Sequence, residues 1–226
     1  MRSVRLLAFA VAAVAAVASG GGCALFTKAE PFRPRFFSVE PEAVPAAHTS
    51  AQANPLELRL GRVTSASYLG ERIVYRKSQS ELGFYEDRRW TEKPEAYFRR
   101  SLVRAFYEDA GFTHFVSGAG PQLDVDLVEF TEVKGKAHVA RVRAAFAVYD
   151  ARYVRAEGTV TAEVPVAPMT GAKDEAEVEA VVAAMSQALG GAVGQIVTRV
   201  RSGLSGGGEL RGAAEGAEPA GEPRPR

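Results

Sequence analysis

Cysteine, histidine and tryptophan are scarce: the 226 residues hold one Cys, three His and one Trp. A lone cysteine, Cys23, excludes an intramolecular disulfide and any cysteine-based zinc cluster. His48, His114 and His138 leave little material for a histidine metal site. Charge of one sign is lacking too, with 28 Lys+Arg against 27 Asp+Glu. A nucleic-acid binder usually carries a basic surplus, so no nucleic-acid partner is expected. A mostly disordered chain would need few apolar residues and a large net charge, whereas 46% of this chain is apolar. No G-x-S-x-G occurs, so no nucleophile elbow is offered. Ser-Gly-Ala-Gly-Pro at 117–121 lacks the Lys-Ser/Thr of a P-loop and precedes a strand pattern, which makes it a turn. Long uninterrupted apolar runs are also missing, with one exception at the N-terminus.

That exception is Leu6 to Ala18, preceded by Arg2 and Arg5. It falls short of the ~20 residues of a spanning helix and suits the apolar core of a signal peptide. Ser19-Gly20-Gly21-Gly22-Cys23 follows. Small residues before a cysteine resemble a bacterial lipobox, in which the cysteine is acylated and becomes the mature N-terminus. Gly20 departs from the aliphatic residue usual there, so ordinary cleavage after Ala-Ser-Gly is the alternative. Two acyl chains make a stable anchor where one gives marginal binding. Residues 1–22 are therefore expected to be a signal peptide and Cys23 the site of lipid attachment. Ala24 after the cysteine resembles the pattern sent on to an outer membrane.

Residues 23–55 read as a tether rich in Pro and Ala, with prolines at 31, 34, 41, 45 and 55. Pro-rich chain is semi-extended and can hold a domain away from lipid. Phe36-Phe37-Ser38-Val39 within it suggests a short strand. Residues 204–226, mostly Gly, Ala, Glu and Pro, have little to bury and are expected to be disordered.

The stretch 56–203 carries the periodicity of a folded domain. Leu56, Leu58 and Leu60 alternate with Glu57 and Arg59, a half-buried strand. Ile73-Val74-Tyr75-Arg76 and Leu82-Gly83-Phe84-Tyr85-Glu86 read as a hairpin. Thr91 offers an N-cap, Pro94 suits a first helical turn, and Phe98, Leu102, Ala105 and Phe106 form a helical stripe ending at Gly111. Three alternating strands follow, marked by Leu123, Val125 and Leu127, then Ala140, Val142, Ala144, Phe146 and Val148, then Val154, Ala156, Val160, Ala162 and Val164, with links near Lys134-Gly135 and Asp150-Ala151 short enough for antiparallel neighbours. A final helix begins near Asp174, its stripe running from Val178 through Met185 and Leu189 to Val200. Gly190, Gly191 and Gly194 interrupt it, allowing a kink or a close approach to the sheet. This order predicts one mixed α/β domain, a mixed and mostly antiparallel sheet covered by two amphipathic helices.

Chemistry-bearing clusters are sparse. Asp124 and Asp126 share one strand face, a pattern able to hold a divalent ion or do acid/base work, but no third ligand stands nearby in sequence. That favours a solvated strand face. Arg99, Arg100 and Arg104 lie on one side of the first helix, a basic face.

The segment Ile73 to Arg104 carries a resemblance. A strand I-V-Y-R, a polar loop, a strand with Tyr85, then Arg89-Trp90, Pro94 and an amphipathic helix, all after a lipobox and tether, resembles the ABC-type transport auxiliary lipoprotein family, the PqiC-like proteins. The match is best over 56–110 and looser to about 203. The resemblance implies a three-layer-like, anticodon-binding-like α/β fold. It implies a non-enzymatic adaptor with no catalytic residue, cofactor or metal. The partners it implies are an MCE-domain protein and ABC permease and ATPase subunits, in lipid transport. Its place would be the bacterial envelope, lipid-anchored at the outer membrane and facing the periplasm, and a homo-oligomer is compatible with it. Tyr85, Arg89 and Trp90 form the expected partner surface, since aromatics and arginine are enriched at interface hot spots. The other reading of Trp90 is a core residue where hairpin meets helix. An envelope lipoprotein with a structural or assembly role, unconnected to a transporter, is the alternative function.

Overall fold

A computed structural model describes residues 32–40, 55–114, 120–168 and 174–206. The described residues from Pro34 onward fall in one compact unit, and Phe32 and Arg33 belong to another. Cys23 and the expected signal peptide lie outside the described residues, as does most of the expected tail.

The described elements follow the order β1 (Arg35–Phe37), β2 (Glu57–Ser65), β3 (Arg72–Arg76), β4 (Leu82–Trp90), α1 (Pro94–Val103), β5 (Thr113–His114), β6 (Gln122–Val133), β7 (Val139–Tyr149), β8 (Val154–Pro165) and α2 (Asp174–Gly206). They build one mixed eight-stranded sheet. The long β6 is its axis. β7 pairs antiparallel along one edge of β6, and β8 pairs antiparallel with β7. On the other edge β2 runs parallel beside the first half of β6, and β3 parallel beside its last residues. β4 pairs antiparallel with β3 as the expected hairpin, and β1 adds a parallel edge to β4. The β1 pairing takes into the sheet a piece of the stretch read as tether. The longest ladders are the antiparallel ones, as the short β6–β7 and β7–β8 links require.

Alternation decides the faces. Leu123, Val125, Leu127 and Phe130 on β6 pair in register with Val148, Phe146, Ala144 and Val142 on β7, and all are buried. Their neighbours Asp124, Asp126, Arg141 and Arg143 point the opposite way. Both helices cover the apolar face and pack against each other. The expected mixed α/β domain with two covering helices is thus what the chain adopts. Where a three-layer-like stack was expected, the described residues place both helices on one face of the sheet; the second face, called the open face below, carries no described helix, and Val74 and Thr131 on it are buried.

α1 starts at Pro94, whose missing N–H costs nothing at a first turn. The N-cap position is Lys93, with no side-chain cap bond, rather than the expected Thr91. Thr91 Oγ1 instead meets the Tyr97 hydroxyl at 2.6 Å. After Val103 the helix widens into a π-helical turn, Arg104–Asp109, which keeps Ala105 and Phe106 buried. Gly111, at φ 68°, ends it as expected, and the Phe112 N–H returns to the Phe106 carbonyl.

α2 runs unbroken through its glycines. Each costs about 1 kcal/mol relative to Ala. Buried Met185, Leu189, Val193, Ile196 and Val200 gain about 1.5–3 kcal/mol apiece, so burial wins. A Cβ at Gly191 would make only ordinary contact with the Ala162 Cβ at 3.4 Å, whereas one at Gly203 would fall 2.7 Å from the Arg155 carbonyl oxygen of β8, so the close approach that requires glycine lies there. Ala176–Gly206 is long and apolar enough to span a membrane by length and composition. Its apolar stripe is spent on the sheet.

Candidate partner surface on the β3–β4 hairpin

The three residues expected to form one surface are separated by strand alternation. Trp90, at the end of β4, is 1% exposed. Its ring packs edge-on against Phe130 of β6 (5.4 Å) and Tyr97 of α1 (6.3 Å). The expectation of an exposed Trp90 is therefore corrected: an aromatic where hairpin meets helix is covered by the helix itself. The indole N–H makes no hydrogen bond, so the residue acts through its apolar area.

Tyr85 is half-buried on the helix-covered face. Its hydroxyl donates to Glu132 Oε2 at 2.6 Å. Glu132 is fully buried, in register with Tyr75 of β3, and its Oε1 also meets His138 Nε2 at 2.6 Å and Lys134 Nζ at 3.7 Å. A buried carboxylate demands such partners, because an unpaired one costs several kcal/mol. The Arg88 guanidinium lies 4.2 Å over the Tyr85 ring, and Lys134 lies 4.8 Å from it. Tyr75 meets Tyr85 edge-on at 5.0 Å and lies over Gly83. A Cβ at Gly83 would fall 2.3 Å from that ring, so glycine is required by the stacking. Burial pushes the Tyr85 phenol far above its ordinary value, and the bond to Glu132 and its negative charge add to the shift. The phenol stays protonated, holds its bond and fixes the hairpin to β6. This cluster is a stitch between strands.

Arg89 faces the other way. It sits between Arg88 and Trp90, which both point to the covered side, and it is in register with Phe36 of β1 and Arg72 of β3. Phe36, Arg89 and Arg72 thus form a row across three strands on the open face. Sequence reasoning missed Phe36 and Arg72 as members of this row, because their juxtaposition depends on the parallel β1–β4 pairing.

The other sequence candidates are absorbed structurally. Asp124 accepts from the Arg62 N–H (2.8 Å), Gln122 (3.0 Å) and the Tyr149 hydroxyl (2.9 Å). Partial burial pushes its carboxyl upward, but these donors outweigh that and hold it below its ordinary value. Asp126 accepts from Thr64. Both border a cleft of about 330 Å³ on the open face, with Arg62, Ala145 and Ala147. His114 packs on Tyr107 while His138 serves Glu132, so the two histidines are not together. No group of three or more His, Cys, Asp or Glu able to hold a metal occurs among the described residues. Of the basic helix face, Arg99 donates to the Gly61 carbonyl, Arg100 pairs with Glu92, and Arg104 lies 3.9 Å from Asp109. Arg100 and Arg104 also line a cleft of about 340 Å³ between α1 and the residues after β1, Ser38 to Glu40.

The sequence model of the ABC-type transport auxiliary lipoprotein component family matches residues 38–197. No curated protein matches the chain. Among solved structures, protein XCC0632 from Xanthomonas campestris, of family DUF330, is similar at 19% identity and a TM-score of 0.61, over 78% of this chain and 99% of that one. An uncharacterized protein matches at 11% identity and a TM-score of 0.51, covering 75% of this chain and 97% of its own. A hypothetical protein from Chlamydia trachomatis reaches 10% identity and a TM-score of 0.48, covering 68% and 99%. At these identities the likeness to the first two speaks to the fold alone.

Proposed function

We propose, from the premise that this chain belongs to the ABC-type transport auxiliary lipoprotein component family, that it is a lipid-anchored, non-catalytic adaptor of an envelope lipid-transport system. The family match over 38–197 carries this reading. In it, residues 1–22 are a signal peptide and Cys23 carries the acyl chains. The folded domain stands on the periplasmic side of the outer membrane, and its partners are an MCE-domain protein and the ABC permease and ATPase. The site's chemistry fits an adaptor: its buried Tyr85–Glu132–His138 cluster is satisfied internally, and neither cleft described above is lined by it.

The test is affinity purification of the full-length protein from gently solubilised membranes, with mass spectrometry of what accompanies it. Recovery of an MCE-domain protein or ABC subunits is expected. Recovery of the protein alone, under conditions that keep it acylated, would sink the transport reading and leave an anchored domain with a structural or assembly role.

A further inference from the structure

The open-face row of β1, β4 and β3 combines features that the adaptor reading does not use. Phe36 is 58% exposed on an edge strand of three residues. One exposed ring is ordinary on a protein surface, so Phe36 carries meaning only through what stands beside it. Beside it in register stand Arg89 and then Arg72, and the Arg72 guanidinium lies 4.7 Å over the Phe84 ring. Among the described residues neither Arg72 nor Arg89 enters an ion pair. Glu71, Glu86 and Asp87 flank the row in the chain, so the surface is amphipathic with no basic surplus. Two guanidinium forks beside an exposed ring suit phosphate groups over an apolar layer, since Arg matches phosphate bidentately and is weakly hydrated.

Chain length selects the occupant. Cys23 and Arg35 are twelve positions apart, and that much chain reaches at most roughly 40 Å when fully extended. β1 is the first strand after the anchor, while β8 forms the opposite edge of the sheet. We infer that the Phe36–Arg89–Arg72 face seats on the phosphate boundary of the membrane that holds the anchor, with the Phe36 ring in the interfacial layer. The inference rests on the anchored reading above. It gives the domain a fixed orientation, with the β1 edge toward lipid and β8 away from it.

The test uses the single native tryptophan, which is buried. Phe36→Trp places a second one in the row, and Tyr153→Trp places one beside β8, where Tyr153 is also 58% exposed. Each full-length protein is purified from membranes and reconstituted into phosphatidylcholine vesicles with or without phosphatidylglycerol, some lipids carrying a doxyl quencher near the headgroup. The Phe36→Trp protein should lose roughly half of its added emission, as a ring in the interfacial belt would, and the Tyr153→Trp protein almost none. Adding Arg72→Glu and Arg89→Glu should abolish the difference. Equal quenching at both positions would overturn the inference. So would an unquenched Phe36→Trp protein together with loss of transporter subunits on Arg89→Glu, which would make the face a protein interface. An unquenched Phe36→Trp protein that crosslinks through this row to a second copy would overturn it as well. Mass spectrometry of the N-terminal peptide reports acylation separately. An acylated but unquenched protein rejects this inference alone, whereas an unacylated protein rejects the anchored reading and with it the inference.

Discussion

At the residue scale, exposure separates two roles that composition alone makes look alike. Trp90 and Arg89 are adjacent in sequence and of the types enriched at interfaces. Alternation sends one into the core and the other to the open face. Trp90→Ala should therefore cost about 3–5 kcal/mol of stability, the range for a large aromatic removed from a core. Trp90→Phe should recover most of that, because the indole N–H has no bond to lose. Urea unfolding measures both. If Trp90→Ala unfolds at the wild-type midpoint, the packing of Phe130 and Tyr97 around it is wrong. A loss of partners on Trp90→Ala would by itself be no sign of an interface, since the destabilised domain disturbs every surface.

At the element scale, one carboxylate braces the turn between β7 and β8. Asp150 accepts from the N–H groups of Arg152 and Tyr153, both at 2.9 Å, and from the Arg155 side chain. The two backbone N–H groups, and then Arg155, hold its carboxyl down at about 2. A carboxyl held below its unfolded value stabilises the fold above that value and loses the contribution as pH falls through the folded one. Wild-type stability should thus drop between pH 4 and pH 2, and Asp150→Asn should flatten that drop while lowering stability at pH 7. Thermal unfolding at pH 7, 4, 3 and 2 checks this; parallel curves for the two proteins would remove Asp150 from the account. The hairpin also illustrates what was legible in the sequence. Alternation at Leu123–Leu127, at Ala140–Val148 and at Val154–Val164 fixes strand type and facing, and short links fix antiparallel order, while the register shift between Leu127 and Glu129 that carries the buried face on to Phe130 leaves no such pattern. The long α2 stripe and the hairpin at 73–86 were legible for the same reason. What escaped was non-local. That β1 joins β4 in parallel, that β2 and β3 share one edge of β6, and that both helices choose one face depend on contacts far apart in the chain. The candidate surface failed as a unit because it spans a strand whose neighbouring residues point to opposite faces.

At the scale of the whole molecule, the question is what a short connection between anchor and sheet accomplishes. An amphipathic row of one ring and two guanidinium groups is a weak membrane site, since stable attachment takes two signals. Its occupancy then depends on effective concentration, which for a linker already able to span the gap falls roughly as the −3/2 power of length. Lengthening the connection is therefore a sharper probe than cutting it. Inserting twenty Gly/Ser residues between Lys28 and Ala29 leaves Cys23, β1 and the row intact. It raises the residues between anchor and strand from about eleven to about thirty-one, which lowers the effective concentration about fivefold. The acylated insertion variant of Phe36→Trp should remain fully membrane-bound yet lose most of its doxyl quenching, while Tyr153→Trp carrying the same insertion stays unquenched. Unchanged quenching would mean the face holds lipid without help from the anchor. Transporter subunits that still copurify after the insertion would mean that partner contact does not require this orientation. Their loss, with the fold intact by circular dichroism, would make the short connection the part that presents the adaptor at a set height above its membrane.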